Sequence, residues 1–171
     1  MADLTNIKLV IFDVDGVLTD GSIVINSVGI ESKNFNVQDG TGIKYLLRAG
    51  IRVAFITGRQ SPVVTLRARE LGVEDVCQGA KEKLEPYAKL LEKHGLQDAE
   101  VCYVGDDLPD VPVMRKAGFP VAVADARAEV KSEAACVTHA PGGKGAAREV
   151  AEKILKEQGK WQGIVSRYCP Q

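Results

Sequence analysis

Several absences narrow what this 171-residue chain does before any motif is read. It has no basic excess, since 22 Lys+Arg stand against 23 Asp+Glu for a formal charge of −1. Binding along a nucleic-acid backbone needs clustered positive charge, so the balance argues against a general nucleic-acid partner. No apolar run approaches the ~20 residues that a membrane helix requires, so no membrane partner is expected. The first residues, Met-Ala-Asp-Leu-Thr-Asn, lack the basic-then-apolar layout of a signal peptide, and a cytoplasmic location is expected. The four cysteines, Cys77, Cys102, Cys136 and Cys169, form no Cys-x-x-Cys pair. Reduced thiols are expected in that compartment, and three of the four lie in apolar runs that suit a small buried hydrophobe. No linker, repeat or low-complexity stretch interrupts the chain, so one domain over residues 1–171 is expected.

Short apolar runs alternate with amphipathic segments. Leu9–Phe12, Val53–Ile56, Val101–Val104 and Val121–Ala124 are apolar at every position, the mark of strands covered on both faces. Val76-Cys77 and Cys136–Thr138 read as shorter strands. Between them, helices are expected before Gly50, from Ser61-Pro62 to Gly72, over Leu84–His94, from Val113 to Gly118, and over Ala146–Leu155. Pro86 fits a helix only in its first turn, where its missing N–H has no intrahelical partner, so Lys83 is expected at a helix N-terminus. Strand–helix alternation of this kind implies an α/β, doubly wound parallel sheet with helices on both faces. A β-hairpin over about residues 21–37 interrupts the step from the first strand to its helix. The tail, residues 159–171, has little periodicity and reads as loose or partner-dependent.

The polar residues that end the apolar runs carry the chemistry. Asp13-Val14-Asp15-Gly16 follows the first run, Thr57-Gly58-Arg59 the second and Gly105-Asp106-Asp107 the third. Open parallel sheets bind ligands beyond the carboxyl ends of their strands. That edge should gather Asp13, Asp15, Thr57, Asp106 and either Asp107 or Asp110, with Lys83 approaching from its helix. Ionised carboxylates crowd together only around a cation, and an all-oxygen set suits Mg²⁺ with a substrate phosphate. A lysine, a hydroxyl and backbone amides cradle phosphoryl oxygens. One carboxylate can then act as nucleophile, and another two residues on as acid and base.

These four groups, Asp13-x-Asp15-Gly16-Val17-Leu18-Thr19-Asp20, Ile56-Thr57-Gly58-Arg59, Lys83 and Gly105-Asp106-Asp107-Leu108-x-Asp110, resemble the motifs of the haloacid dehalogenase superfamily of phosphohydrolases. The resemblance spans nearly the whole chain. It is narrower still to members that carry a short hairpin in place of a large cap. That likeness rests on Phe35-Asn36-Val37-Gln38-Asp39-Gly40, Gln78-Gly79-x-x-x-Lys83-Leu84 and Ala140-x-Gly142-Gly143-Lys144-Gly145-Ala146-x-Arg148-Glu149. Some relatives carry arginine at the position of Gln38 and an aromatic or histidine at that of Thr41.

The resemblance implies Asp13 as nucleophile and Asp15 as general acid/base. Thr57, Gly58 and Lys83 would hold the phosphoryl group, and Arg59 would face the substrate. Mg²⁺ would sit on Asp13, the backbone carbonyl of Asp15, and Asp106, with Asp107 or Asp110 outside that set. The implied activity is hydrolysis of the 8-phosphate of the eight-carbon sugar acid 3-deoxy-D-manno-octulosonate (KDO), a step toward lipopolysaccharide. A homotetramer built through the hairpins is implied too. The competing readings are a phosphatase of a nine-carbon sugar-acid 9-phosphate, a receiver domain that phosphorylates only itself, and a non-catalytic assembly module. Gly142–Gly145 lacks the full phosphate-loop pattern and reads as a turn before the last helix. His94 and His139 are solitary and are expected to be incidental.

Overall fold

The computed structural model describes residues 4–169, so the readings on residues 1–3 and 170–171 lie outside the described residues. A 3-10 turn (Leu4–Asn6) leads into β1 (Leu9–Phe12), buried at all four positions. An antiparallel hairpin of β2 (Val24–Ile25) and β3 (Glu31–Ser32) follows, closed by a turn in which Asn26 Oδ1 accepts the Val28 and Ile30 amides. Helices and strands then alternate: α1 (Val37–Arg48), β4 (Arg52–Ile56), α2 (Pro62–Leu71), β5 (Asp75–Cys77), α3 (Leu84–His94) and β6 (Val101–Gly105). They continue as α4 (Val111–Met114), β7 (Phe119–Ala122), α5 (Ala128–Ser132), β8 (Cys136–Val137), α6 (Ala146–Glu157) and α7 (Trp161–Val165).

The main sheet runs β5-β4-β1-β6-β7-β8 with every pair parallel, the expected doubly wound α/β arrangement with a hairpin insertion. From β1 the chain winds outward through β4 and β5. It then returns beside β1 as β6 and winds the other way, so the order reverses between β1 and β6. Phe12 is in register with Phe55 and with Val104. Asp13 therefore leaves the sheet one residue beyond that line, and Thr57 and Asp106 one residue further. The apolar side chains of β1, β4 and β6 form the centre of the core, where burying each large aliphatic or aromatic group contributes about 1.5–3 kcal/mol.

Several details differ from the sequence reading, and the helix expected from Val113 to Gly118 spans only Val111–Met114. Helix α1 starts at Val37 and runs through Gly40 and Gly42, earlier than its apolar residues indicated. Asn36 caps it by accepting the Gln38 amide at 2.7 Å, and Gly42 lets α6 approach, since a Cβ there would lie 2.9 Å from Arg148 Cα. This helix start also shortens the hairpin, whose paired residues end at Ser32. Strand β7 begins at Phe119 and ends at Ala122, because the Ala124 amide leaves the ladder for Thr138 Oγ1. The tail is ordered through Cys169: Trp161 meets Tyr45 edge-on at 6.0 Å, and Arg148 lies over both rings. Of the strand cysteines only Cys102 is fully buried, because Cys77 and Cys136 belong to the outermost strands.

Candidate active site

All nine residues singled out by motif line one open cavity of about 340 Å³ at the carboxyl ends of β1, β4 and β6. Asp13 is held from two sides. Its Oδ1 accepts the Val14 amide at 2.7 Å and lies 3.0 Å from Lys83 Nζ, while Oδ2 takes no hydrogen bond from the described residues. Lys83 is buried at the N-cap of α3, the place fixed by Pro86, and also donates to Asp110 Oδ1 at 2.7 Å. Thr57 is buried at the end of β4, and its Oγ1 accepts the Arg59 amide at 3.4 Å.

The two candidate outer carboxylates differ. Asp110 has no spare acceptor: Oδ1 takes Lys83 and the Tyr103 hydroxyl, and Oδ2 takes the Asp106 and Asp107 amides. It is a bracket that orients the lysine and fixes the loop carrying Asp106. Asp107 is exposed, and its Oδ1 caps the turn after β6 by accepting the Leu108 amide at 2.8 Å.

Electrostatics mark this cluster as incomplete without a cation. Burial, reinforced by the charge of Asp110 and opposed by Lys83, pushes Asp13 from 3.8 up to about 7. Burial together with the charges of Asp13 and Asp110 pushes Asp106 from 3.8 up to about 8. For Lys83, burial acts to lower the pKa, but Asp13 and Asp110 outweigh it and hold the ammonium above its ordinary value. Carboxylate oxygens of Asp13, Asp106 and Asp110 lie within 4.8 Å of one another. Asp106 Oδ1 and Asp15 Oδ2 are buried with no hydrogen-bond partner. Orphaned, buried carboxylate oxygens beside a raised-pKa pair are the donor set of a hard divalent cation. Because Asp110 is already fully engaged, the ligands that fit are Asp13 and Asp106.

Asp15 is held by residues that motif reading missed. Its Oδ1 pairs with Lys33 Nζ, a buried ammonium on the strand side of the hairpin that also lies 3.5 Å from Glu31 Oε1. Arg59 joins the same network, donating to Glu31 Oε1 at 2.7 Å with its Nε 3.9 Å from Asp15 Oδ2. Residues 31 and 33 project to one face of an extended strand, so their opposite charges two apart were the available signal. Gly142–Gly145 also differs from a free turn. The Gly143 amide donates to Val17 O at 2.8 Å, and a Cβ on Gly142 would fall 1.8 Å from Gly16 O, so this loop buttresses the Asp13–Asp20 loop. Two consecutive residues without side chains were its signal. Asp39 ties the same loop down by accepting the Gly145 and Arg148 amides. His94 pairs with Asp75 and His139 with Glu149, and neither lines the cavity.

A family description, haloacid dehalogenase-like hydrolase, matches residues 39–118. The 3-deoxy-D-manno-octulosonate 8-phosphate phosphatase KdsC of Salmonella typhi is 49% identical over 160 residues, covering 94% of this chain and 85% of that protein. The chain belongs to the haloacid dehalogenase-like hydrolases. Solved members share the fold as well as the sequence. The crystal structure of the 3-deoxy-D-manno-octulosonate 8-phosphate phosphatase of Moraxella catarrhalis, in complex with a magnesium ion, a phosphate ion and a KDO molecule, is 42% identical with a TM-score of 0.95. It is matched over 97% of this chain and 95% of that one. The cobalt-bound deoxy-D-mannose-octulosonate 8-phosphate phosphatase of Haemophilus influenzae is 41% identical with a TM-score of 0.91, over 95% of this chain and 99% of that one. In this hydrolase a short antiparallel hairpin follows β1.

Proposed function

We propose that this hydrolase converts 3-deoxy-D-manno-octulosonate 8-phosphate and water to KDO and inorganic phosphate, in lipopolysaccharide precursor synthesis. The observation that carries the reading is the convergence of Asp13, Asp15, Thr57, Lys83 and Asp106 on one cavity, in a chain 49% identical to a phosphatase of that substrate.

Asp13 Oδ2, which no protein donor occupies, attacks phosphorus. The bond from phosphorus to the sugar oxygen breaks, and Asp15 gives that oxygen its proton. Asp15, now a carboxylate, takes a proton from water as the water oxygen attacks the phosphorus of the Asp13 phosphoester. The Asp13 carboxylate and inorganic phosphate are released. Thr57, the Gly58 amide and Lys83 bind the phosphoryl oxygens, where charge-assisted donors are strongest. Arg59 and Lys33 orient Asp15. Mg²⁺, held by Asp13, Asp106 and the Asp15 carbonyl, would neutralise the crowded carboxylates and the charge of the phosphoryl group. Asp110 keeps Lys83 aimed at Asp13.

The hairpin supports a homotetramer. Ile23, Val24, Ile25, Val28 and Ile30 are all exposed, with Val28 at 75%, and such a patch is relieved by burial against copies of itself. No helix of the described residues is long and apolar enough to cross a membrane, in keeping with a cytoplasmic enzyme. The test is steady-state phosphate release with Mg²⁺ from the eight-carbon 8-phosphate and from a nine-carbon sugar-acid 9-phosphate. The eight-carbon ester should turn over faster, and EDTA should abolish the activity until Mg²⁺ is restored. A clear preference for the nine-carbon ester overturns the substrate assignment, self-labelling without turnover points to a receiver, and full turnover in EDTA overturns the metal role.

A further inference from the structure

The substrate proposed above carries two anionic ends, a phosphate and a carboxylate. The cavity supplies three cations, Arg59, Lys81 and Lys83. Two are already committed. Lys83 is buried between Asp13 and Asp110, and Arg59 is paired with Glu31 beside Asp15. Lys81 differs: its backbone amide donates to Gly79 O, and its side chain makes no hydrogen bond or ion pair among the described residues. It is exposed at the cavity rim, on the short loop before α3, two residues from the buried lysine. It also borders a second hollow of about 610 Å³ between β5 and α3, so the rim is open on that side.

At about 340 Å³ the catalytic cavity exceeds a phosphoryl group and has room for the sugar as well. With phosphorus against Asp13, the sugar must extend outward past the rim. There an anion finds one cation whose charge no protein carboxylate has taken.

We propose that Lys81 recognises the substrate carboxylate, and so sets the preference of this site for phosphate esters of sugar acids over neutral sugar phosphates. This rests on the sugar-acid reading above. An ammonium that is unpaired in the free enzyme breaks no ion pair when the carboxylate arrives. Its contribution should therefore appear in substrate binding and not in the chemical step.

The test is Lys81→Gln, with Lys81→Arg beside it, assayed with Mg²⁺ on KDO 8-phosphate and on arabinose 5-phosphate, which has no carboxylate. Lys81 is exposed, so both variants should fold. Lys81→Gln should raise KM for the acid ester about tenfold with kcat within about twofold, and Lys81→Arg should recover most of it. KM for the neutral ester and inhibition by inorganic phosphate should be unchanged in both. An equal rise of KM for both esters would assign Lys81 to the phosphate or to shape, and an unchanged KM for the acid ester would exclude it from recognition; either overturns the proposal. Wild-type enzyme that does not favour the acid ester overturns the sugar-acid reading itself, a result visible before any variant is made.

Discussion

Replacing Gly142 by alanine tests whether the Gly142–Gly145 loop fixes the catalytic aspartates. The backbone of Gly142 is not in the left-handed region, so alanine costs nothing conformationally and only contact matters. Its Cβ would stand 1.8 Å from the carbonyl oxygen of Gly16 and 2.6 Å from that carbonyl carbon. Carbon and oxygen approach no closer than about 3.3 Å, so the two loops must part by about 1.5 Å. Gly16 has no room to retreat past Asp106, because its own Cα faces that carboxylate so closely that a Cβ there would lie 2.1 Å from Oδ2. The displacement therefore passes along the loop to Asp15 and Asp13. Misplacing a catalytic group by about 1 Å costs on the order of 100-fold in rate, and overpacking of this kind costs about 1–3 kcal/mol of stability. Gly142→Ala should keep its circular dichroism spectrum, lose a few degrees of Tm and fall about 100-fold in kcat, read as phosphate release at saturating substrate. Gly163→Ala on α7 is the control, since nothing lies within 4 Å of its Cβ, and its kcat should be unchanged. Wild-type kcat and Tm in Gly142→Ala would show that the loop is free to move and that the aspartates are held by other contacts.

Asp13→Asn should fold and assemble normally yet lose turnover by several orders of magnitude; near-normal phosphate release would remove it as nucleophile. The metal-free protein should become more stable as pH falls. Above about 8, Asp13 and Asp106 are ionised in both folded and unfolded chains, and the full cost of crowding them is present. As pH drops through about 8 and then 7 the folded form gains protons that the unfolded form, near 3.8, does not, so Tm should rise between pH 9 and 6. Mg²⁺ replaces those protons, so its own increment in Tm should be larger at pH 9 than at pH 6, and an equal increment would contradict the raised pKa values. Ile25→Asp with Ile30→Asp should reduce the mass measured by light scattering below a tetramer; an unchanged mass would place the interface elsewhere.

The residues legible in the sequence share a property: each ends or begins an element whose own pattern announces it. Asp13, Thr57 and Asp106 terminate runs that are apolar throughout, and the handedness of parallel connections brings such ends together whatever the intervening sequence. Lys83 was placed by Pro86, whose missing donor confines it to the first turn of a helix. The tail and the start of α1 were misread for the opposite reason. Trp161 is ordered by Tyr45 and Arg148, partners on two other helices, and a five-residue helix has too few positions to declare a period. Gly40 and Gly42 weaken the helical signal of α1 because they are chosen for what approaches from outside, Arg67 and α6, not for the helix itself.

The same division runs through the site. The groups assigned to chemistry sit on strand ends and could be read locally. The groups that hold them left a local mark but not their target, because Lys33 on Asp15 and Gly142 on Gly16 are contacts between separate segments, and no segment records its partner. Lys83 belongs to both sets. Between Asp13 and Asp110 it is one corner of a buried triad, and removing one member of such a set typically costs about 3–5 kcal/mol by stranding the remaining charge. A loss of activity in a Lys83 variant therefore mixes lost phosphate binding with a disordered nucleophile. Lys33, whose ion pairs run to the Asp15 carboxylate and Glu31 and not to Asp13, Asp106 or the phosphate cradle, separates orientation of the Asp15 side chain from the rest: Lys33→Met should lower kcat while leaving inhibition by inorganic phosphate unchanged. A weakened phosphate inhibition in that variant would mean that the hairpin lysine acts on the phosphoryl group and not through Asp15.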